Sequence, residues 1–306
     1  MSASYDEGWR ARFGEEAGMP SEVPDVPWLR QVLVRRTHRR YAERPVADSL
    51  MRLLLGAAFS ASSKSDFQQA SVVWVKDRGQ RDRLASLIPD MPWIGNAPVF
   101  LVFCGDARRL ERIGELRGRP QENGKLEGFF NAAVDAALVL QSFILAAETA
   151  GLGCCPISVL RNHADAVAEI LSLPDKVFPV AGICVGYPAV AGHISMRLPL
   201  DATVHTNRYD SSGCQNSSMP TSGGAMRAIR CRASSSACRM FSAMPRFTAG
   251  RKTRRARRPN PKARASRPIC AAAGLPSINR CLQASLWTRT RQRLHSPRHL
   301  RPRANA

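Results

Sequence analysis

Four short stretches of this chain combine residue types that can grip an anion or line a flat heteroaromatic ligand. The first, Arg35-Arg36-Thr37-His38-Arg39-Arg40-Tyr41, sets four arginines around one hydroxyl, with Pro45 and Val46 just beyond. Guanidinium groups make paired, charge-assisted bonds to phosphate oxygens, and a threonine hydroxyl adds a donor. The competing reading is a solvated basic turn, which charge runs usually are. The second, Ser60 to Gln69 (SASSKSDFQQ), is rich in small hydroxyls and exposed backbone N–H groups and holds one lysine. Such a loop can hydrogen-bond the edge of a heteroaromatic ring, or it can be an ordinary connection.

The third stretch is Gly151-Leu152-Gly153-Cys154-Cys155-Pro156-Ile157-Ser158. Its glycines permit a close backbone approach to a ligand, or simply cap the preceding helix. Adjacent cysteines rarely bridge, so Cys154 and Cys155 read as small packing residues. The fourth follows Gly186-Tyr187-Pro188 and runs His193-Ile194-Ser195-Met196-Arg197-Leu198-Pro199. Arg197 is a lone charge between apolar stretches and calls for an anionic partner, protein or ligand. No metal-ligand spacing and no catalytic acid or base stands out among these motifs.

The elements that must hold these motifs follow from periodicity. Trp28 to Val34 and Val46 to Ala61 read as helices, the second with Leu50, Leu53, Leu54, Ala57 and Ala58 on one face. Ser71 to Lys76, Pro98 to Cys104 and Val177 to Val185 are β-branched and apolar runs, hence strands. Leu126 to Ala150 is the strongest helix, with Glu127, Asn131, Asp135, Ser142 and Thr149 in one narrow stripe and an apolar remainder. Such a helix is expected to be buried nearly all round, as a central helix or one shared across a dimer interface. Its longest charge-free run, Ala136 to Ala147, is too short to span a bilayer. A further helix, Ala164 to Leu171, ends before Pro174. Helices and strands mix without βαβ alternation, so the fold class is α+β.

Charge divides the chain in two. Residues 1–210 carry 24 Lys and Arg against 24 Asp and Glu, whereas residues 211–306 carry 21 basic residues and no acidic one. The whole formal charge of +21 therefore belongs to the last stretch, a mixture of Ser, Arg, Ala, Pro and Cys without periodicity. Such a composition buries too little apolar surface to offset ordering entropy, so disorder is expected there. Two origins fit it: a basic arm for nucleic acid, or translation of a GC-rich gene in a shifted frame. The shifted frame accounts for arginine in place of lysine, since only Lys252 and Lys262 are lysines. The first part has no secretory signal and no CxxC among Cys104, Cys154, Cys155 and Cys184, which fits a soluble cytoplasmic protein.

Taken in order, the four motifs resemble the FMN-dependent nitroreductase family, and within it the NADPH-preferring flavin reductase-like branch. Arg36-x-x-Arg39-x-Tyr41 with Pro45 is similar to its opening motif. SSKSDFQ resembles its flavin loop, NAAVDAALVLQSFILAAETAGLG its central helix and glycine turn, and FPVAGICVGYPA with the later RLP its closing strand and phosphate contact. Thr37 stands where the family often has Ser, and Ser195 where the branch often has Lys. The resemblance covers about Val34 to Asp210. It implies a domain over residues 1–210 with a nitroreductase-like FMN-binding fold, a homodimer, and NADPH or NADH as co-substrate. It further implies that Arg36, Thr37 and Arg39 hold the FMN phosphate and ribityl chain, with Arg197 closing on the phosphate. Ser63, Lys64, Ser65 and Gln68 would line the ring and ribityl edge, and Pro156, Ile157 and Ser158 would lie along the ring. Electrons would pass from the nicotinamide through FMN to a nitroaromatic, quinone or similar small acceptor in ping-pong fashion. The alternative from another class is a nucleic-acid-binding protein acting through the basic tail.

Overall fold

The computed structural model describes residues 5–14, 20, 22, 24–120 and 125–210. Both readings of the basic tail, as a nucleic-acid arm or as out-of-frame sequence, and the disorder expected of it, concern residues 211–306 and lie outside the described residues. The chain divides into two compact units, Met1–His38 with Val190–Arg264, and Arg39–Ala189 with Ala265–Ala306.

In the first unit, α1 (Tyr5–Phe13) begins on Asp6 and Glu7 and ends on Arg10 and Arg12, a charge order that matches the helix dipole. Pro27 opens α2 (Pro27–Leu33), where its missing N–H is not needed. The Tyr5 hydroxyl donates to Val26 O at 2.8 Å and accepts from Val26 N at 2.7 Å. Gly8 lets α1 lie close on the end of α2, since a Cβ there would stand 3.1 Å from Val34 Cγ1.

The second unit contains α3 (Asp48–Phe59), β1 (Ala70–Trp74), α4 (Arg78–Ser86), α5 (Trp93–Asn96), β2 (Val99–Asp106), α6 (Arg108–Leu116), α7 (Lys125–Thr149), β3 (Gly153–Ile157), α8 (Ala164–Leu171) and β4 (Val177–Gly186). Its four strands form one sheet in the order β1-β2-β4-β3, antiparallel throughout. All eight residues of β2 are buried. Alternation explains this: Val99, Leu101 and Phe103 join the core made with α3 and α7, while Phe100, Val102 and Cys104 join the core made with α4 and α8. A strand covered on both faces reads as an unbroken apolar run, as PVFLVFC does. The α+β expectation holds, as do the three strands and the helices foreseen in this unit, with ends shifted by one or two residues.

Two features differ from expectation. The stretch after α7 is a strand, not only a turn. Gly151, at φ +78°, ends the helix, and β3 then runs along the edge of the sheet. Pro156 is tolerated there because an edge position does not require its missing N–H. The second difference is α7 itself. Ala132, Ala136, Val139, Phe143, Ile144 and Ala147 are buried, but Phe130 (61%), Val134 (38%) and Leu138 (41%) stay exposed along one stripe. Meanwhile Asn131 and Asp135 from the polar stripe are buried. The helix thus points part of its polar face inward and part of its apolar face outward. By length and composition alone Leu126–Thr149 could cross a membrane, yet one flank of it is built into the core between α3 and the sheet.

Candidate functional site

The Ser60–Gln69 loop folds around a short 3-10 turn, Lys64–Asp66. Ser65, Asp66 and Gln68 adopt φ of +51°, +56° and +51°, a region in which side chains other than glycine are uncommon. Such a run persists only when its surroundings over-determine it. Here the carboxylate of Asp135 on α7, 1% exposed, supplies the constraint. Its Oδ1 accepts from Lys64 N and its Oδ2 from Gln69 N, both at 2.9 Å. Arg109 on α6 holds the loop's exit: Nη1 donates to Gln68 O and to Ala70 O, and Nη2 to Ser71 Oγ and Asp106 Oδ2. Inside the loop, Gln68 N donates to Ser63 Oγ at 3.3 Å and Lys64 Nζ to Ser65 Oγ at 3.0 Å. Lys64, Ser65 and Gln68 stay exposed and Ser63 is half-buried, so donors are displayed from a fixed backbone.

Also in the second unit, Arg39 to Ala42 is laid against the end of β4. Ala42 N donates to Tyr187 O, Ala189 N to Arg40 O, and the Tyr41 hydroxyl to Cys184 O. Burial, followed by the Cys184, Cys155 and Cys154 thiols, pushes the Tyr41 phenol up, which keeps it protonated and a donor. The Arg39 guanidinium lies 5.4 Å from the centroid of the Trp93 ring. It is also a neighbour of Cys155: burial pushes that thiol up, and the Arg39 charge opposes the shift. Arg39 is thereby brought to β3. Along β3 and just past it, Pro156 and Ser158 are exposed, but the Ile157 side chain is buried with Leu160 and Val167. Ile157 as a whole is 1% exposed, so of the three only Pro156 and Ser158 present surface.

Arg36, Thr37 and Arg197 belong to the first unit. Gly192 passes close beside the first two, so that a Cβ would stand 3.0 Å from Thr37 O and 3.3 Å from Arg36 Cβ. Arg197 is exposed; its Nη1 folds back onto Ser195 O and Met196 O, and its backbone N donates to Arg12 O at 2.7 Å. Among the described residues Arg36 Nε is buried with no hydrogen-bond partner. Burial, then the charges of Arg36 and Arg35, hold His38 below its ordinary value. A buried spare donor in a field that disfavours a further positive charge suits an anion such as phosphate.

The anchors Asp135 and Arg109 were not foreseen as site residues. Asp135 does carry a signal, as the only charge between Glu127 and Glu148 in an apolar helix. Arg109 carries none within its run of charged residues.

Asp135→Ala leaves two backbone donors without their acceptor, at a cost of roughly 3 kcal/mol in urea unfolding. Hydrogen exchange at the Lys64 and Gln69 amides should rise while β2 and β4 stay protected; unchanged exchange at both amides would rule out the anchoring role. The His38 imidazole should titrate below the ordinary 6.5 by NMR. Arg36→Ala should move that midpoint upward, since a positive neighbour is lost; a static midpoint would show no coupling. A folded-state value below the unfolded one means that His38 supports stability above pH 6.5 or so and opposes it as pH falls lower.

The sequence model of the Nitroreductase family matches residues 32–187. The FMN reductase (NAD(P)H) of Bacillus subtilis is 35% identical over 184 residues, 59% of this chain and 74% of that protein. The oxygen-insensitive NADPH nitroreductase of Salmonella typhimurium is 33% identical over 183 residues, 60% of this chain and 75% of that protein. The structure of the NADPH:FMN oxidoreductase from Vibrio harveyi complexed with NAD+ superposes with a TM-score of 0.59 at 28% identity, covering 70% of this chain and 90% of that one. The matched residues hold all four strands, the loop anchored by Asp135, and the Arg36–Tyr41 motif, and this chain belongs to the nitroreductase family.

Proposed function

We propose that this chain binds FMN and catalyses electron transfer from NADPH or NADH to a small acceptor, a nitroaromatic, a quinone or a similar compound, in ping-pong fashion. The observation that carries this reading is the buried, unengaged Arg36 Nε beside a His38 whose protonation is disfavoured by burial and then by the Arg36 and Arg35 charges. Family membership and the names of the relatives support it. Bound FMN would supply the redox chemistry between nicotinamide and second substrate, so the protein's share is binding, orientation and electrostatics. Arg36, Thr37, Arg39 and Arg197 hold the phosphate and ribityl chain. Ser63, Lys64, Ser65 and Gln68 take the ring edge, where the Lys64 ammonium favours negative charge on the pyrimidine side. Pro156, Ile157 and Ser158 would lie along the ring, as the family resemblance implies. No side chain is assigned a proton-transfer role.

The same reading includes a homodimer. Phe130, Val134 and Leu138 recur at intervals of four on α7, and among the described residues nothing covers that side of the helix. A second copy supplies one.

Purified protein should be yellow, or become so with added FMN, and its flavin spectrum should bleach with NADPH under anaerobic conditions. Initial-rate plots at several acceptor concentrations should give parallel lines. Protein that stays colourless after reconstitution would sink the flavoenzyme reading, and intersecting lines would remove the ping-pong order alone. In sedimentation velocity the chain should run as a dimer and Leu138→Asp as a monomer; a wild-type monomer at tens of micromolar would contradict the dimer.

A further inference from the structure

We infer that Arg12, which lies ahead of the residues matched by the family model, is the positioning residue that sets the geometry of the phosphate grip. The inference rests on the FMN reading above. Arg12 is 5% exposed, and its guanidinium is met by backbone carbonyls. Nε and Nη2 both donate to Leu33 O, at 3.0 and 2.9 Å. Nη2 also reaches Arg35 O at 2.6 Å, and Nη1 reaches Ser195 O at 2.6 Å. Its own carbonyl accepts from Arg197 N at 2.7 Å. One residue therefore ties the backbone just before Arg36-Thr37 to the backbone at Ser195 and Arg197.

The chemistry of the arrangement is specific to arginine. Leu33 ends α2, so its carbonyl is one of those a helix leaves unpaired, and a cation there also suits the dipole. Only a planar fork with five donors can serve three carbonyls in fixed directions; a lysine ammonium is a point charge with other geometry. The tie in turn depends on α1 being seated. That seating comes from the Tyr5–Val26 pair of hydrogen bonds and the close approach at Gly8. Gly192, tight against Thr37 O, adds a second point where the two backbone segments meet. The family model begins at residue 32, past α1.

The test compares FMN with riboflavin, which has the same ring system and no phosphate, in fluorescence-quenching titrations of the full chain. Wild type should prefer FMN. Arg12→Ala and Arg12→Lys should each weaken FMN about tenfold or more, while riboflavin, which meets the same residues only through its ribityl chain, loses far less. Tyr5→Phe, which loosens α1 and keeps Arg12, should weaken FMN by about threefold, the size of one modest hydrogen bond; it carries the test if the Arg12 variants do not fold. Equal losses for both ligands, unchanged FMN affinity in the variants, or full retention by Arg12→Lys would each overturn the positioning role. Wild type that binds neither ligand would instead sink the flavin reading, so the two failures are distinguishable.

Discussion

The carboxylate of Asp135 is the interaction on which the Ser60–Gln69 loop depends. A buried charge on an apolar helix is costly unless hydrogen bonds satisfy it, and two backbone amides do so here. The requirement runs both ways. The loop contains three residues in left-handed conformation and needs an external constraint, while the helix needs donors for its carboxylate. Each solves the other's problem, and so a polar loop is attached to a long and largely apolar helix.

The sheet makes that attachment rigid. α7 packs on β2 and β1 through one of the two cores that cover β2, so the helix that carries Asp135 cannot shift without disturbing that core. Arg109 fixes the loop's other end to Ala70, Ser71 and Asp106 at the β1–β2 edge of the same sheet. In the first unit an arginine does comparable work on backbone carbonyls. Opposite charges on side chains thus serve opposite ends of the peptide group.

What could be read from sequence follows from the range of the interactions involved. β2, β4 and α7 were legible because burial imposes a local pattern, continuous for a strand covered on two faces and 3.6-periodic for a helix. β3 was hidden, since two glycines and a proline disguise an edge strand as a turn. Among candidate site residues, the Arg36–Tyr41 motif, the Ser63–Gln68 loop and Arg197 were visible as unusual clusters or lone charges. Their supports were not. Asp135 meets amides 66 and 71 positions away, and Arg12 meets Ser195 across 183 positions. Nothing in a local window encodes such pairs. The exposed stripe on α7 is compatible with the expectation of a central helix or one shared across a dimer interface, because apolarity marks a face for burial without saying by what.

The edge position of β3 has a consequence for the protein among its neighbours. A strand edge is a template on which another chain can add a strand, and Pro156 is the one exposed residue of β3. Pro156 removes one donor from that edge and fixes its own backbone torsion. The edge is therefore a poor starting point for intermolecular sheet growth. The same substitution that would make β3 a more regular strand would also make the folded protein more prone to aggregate.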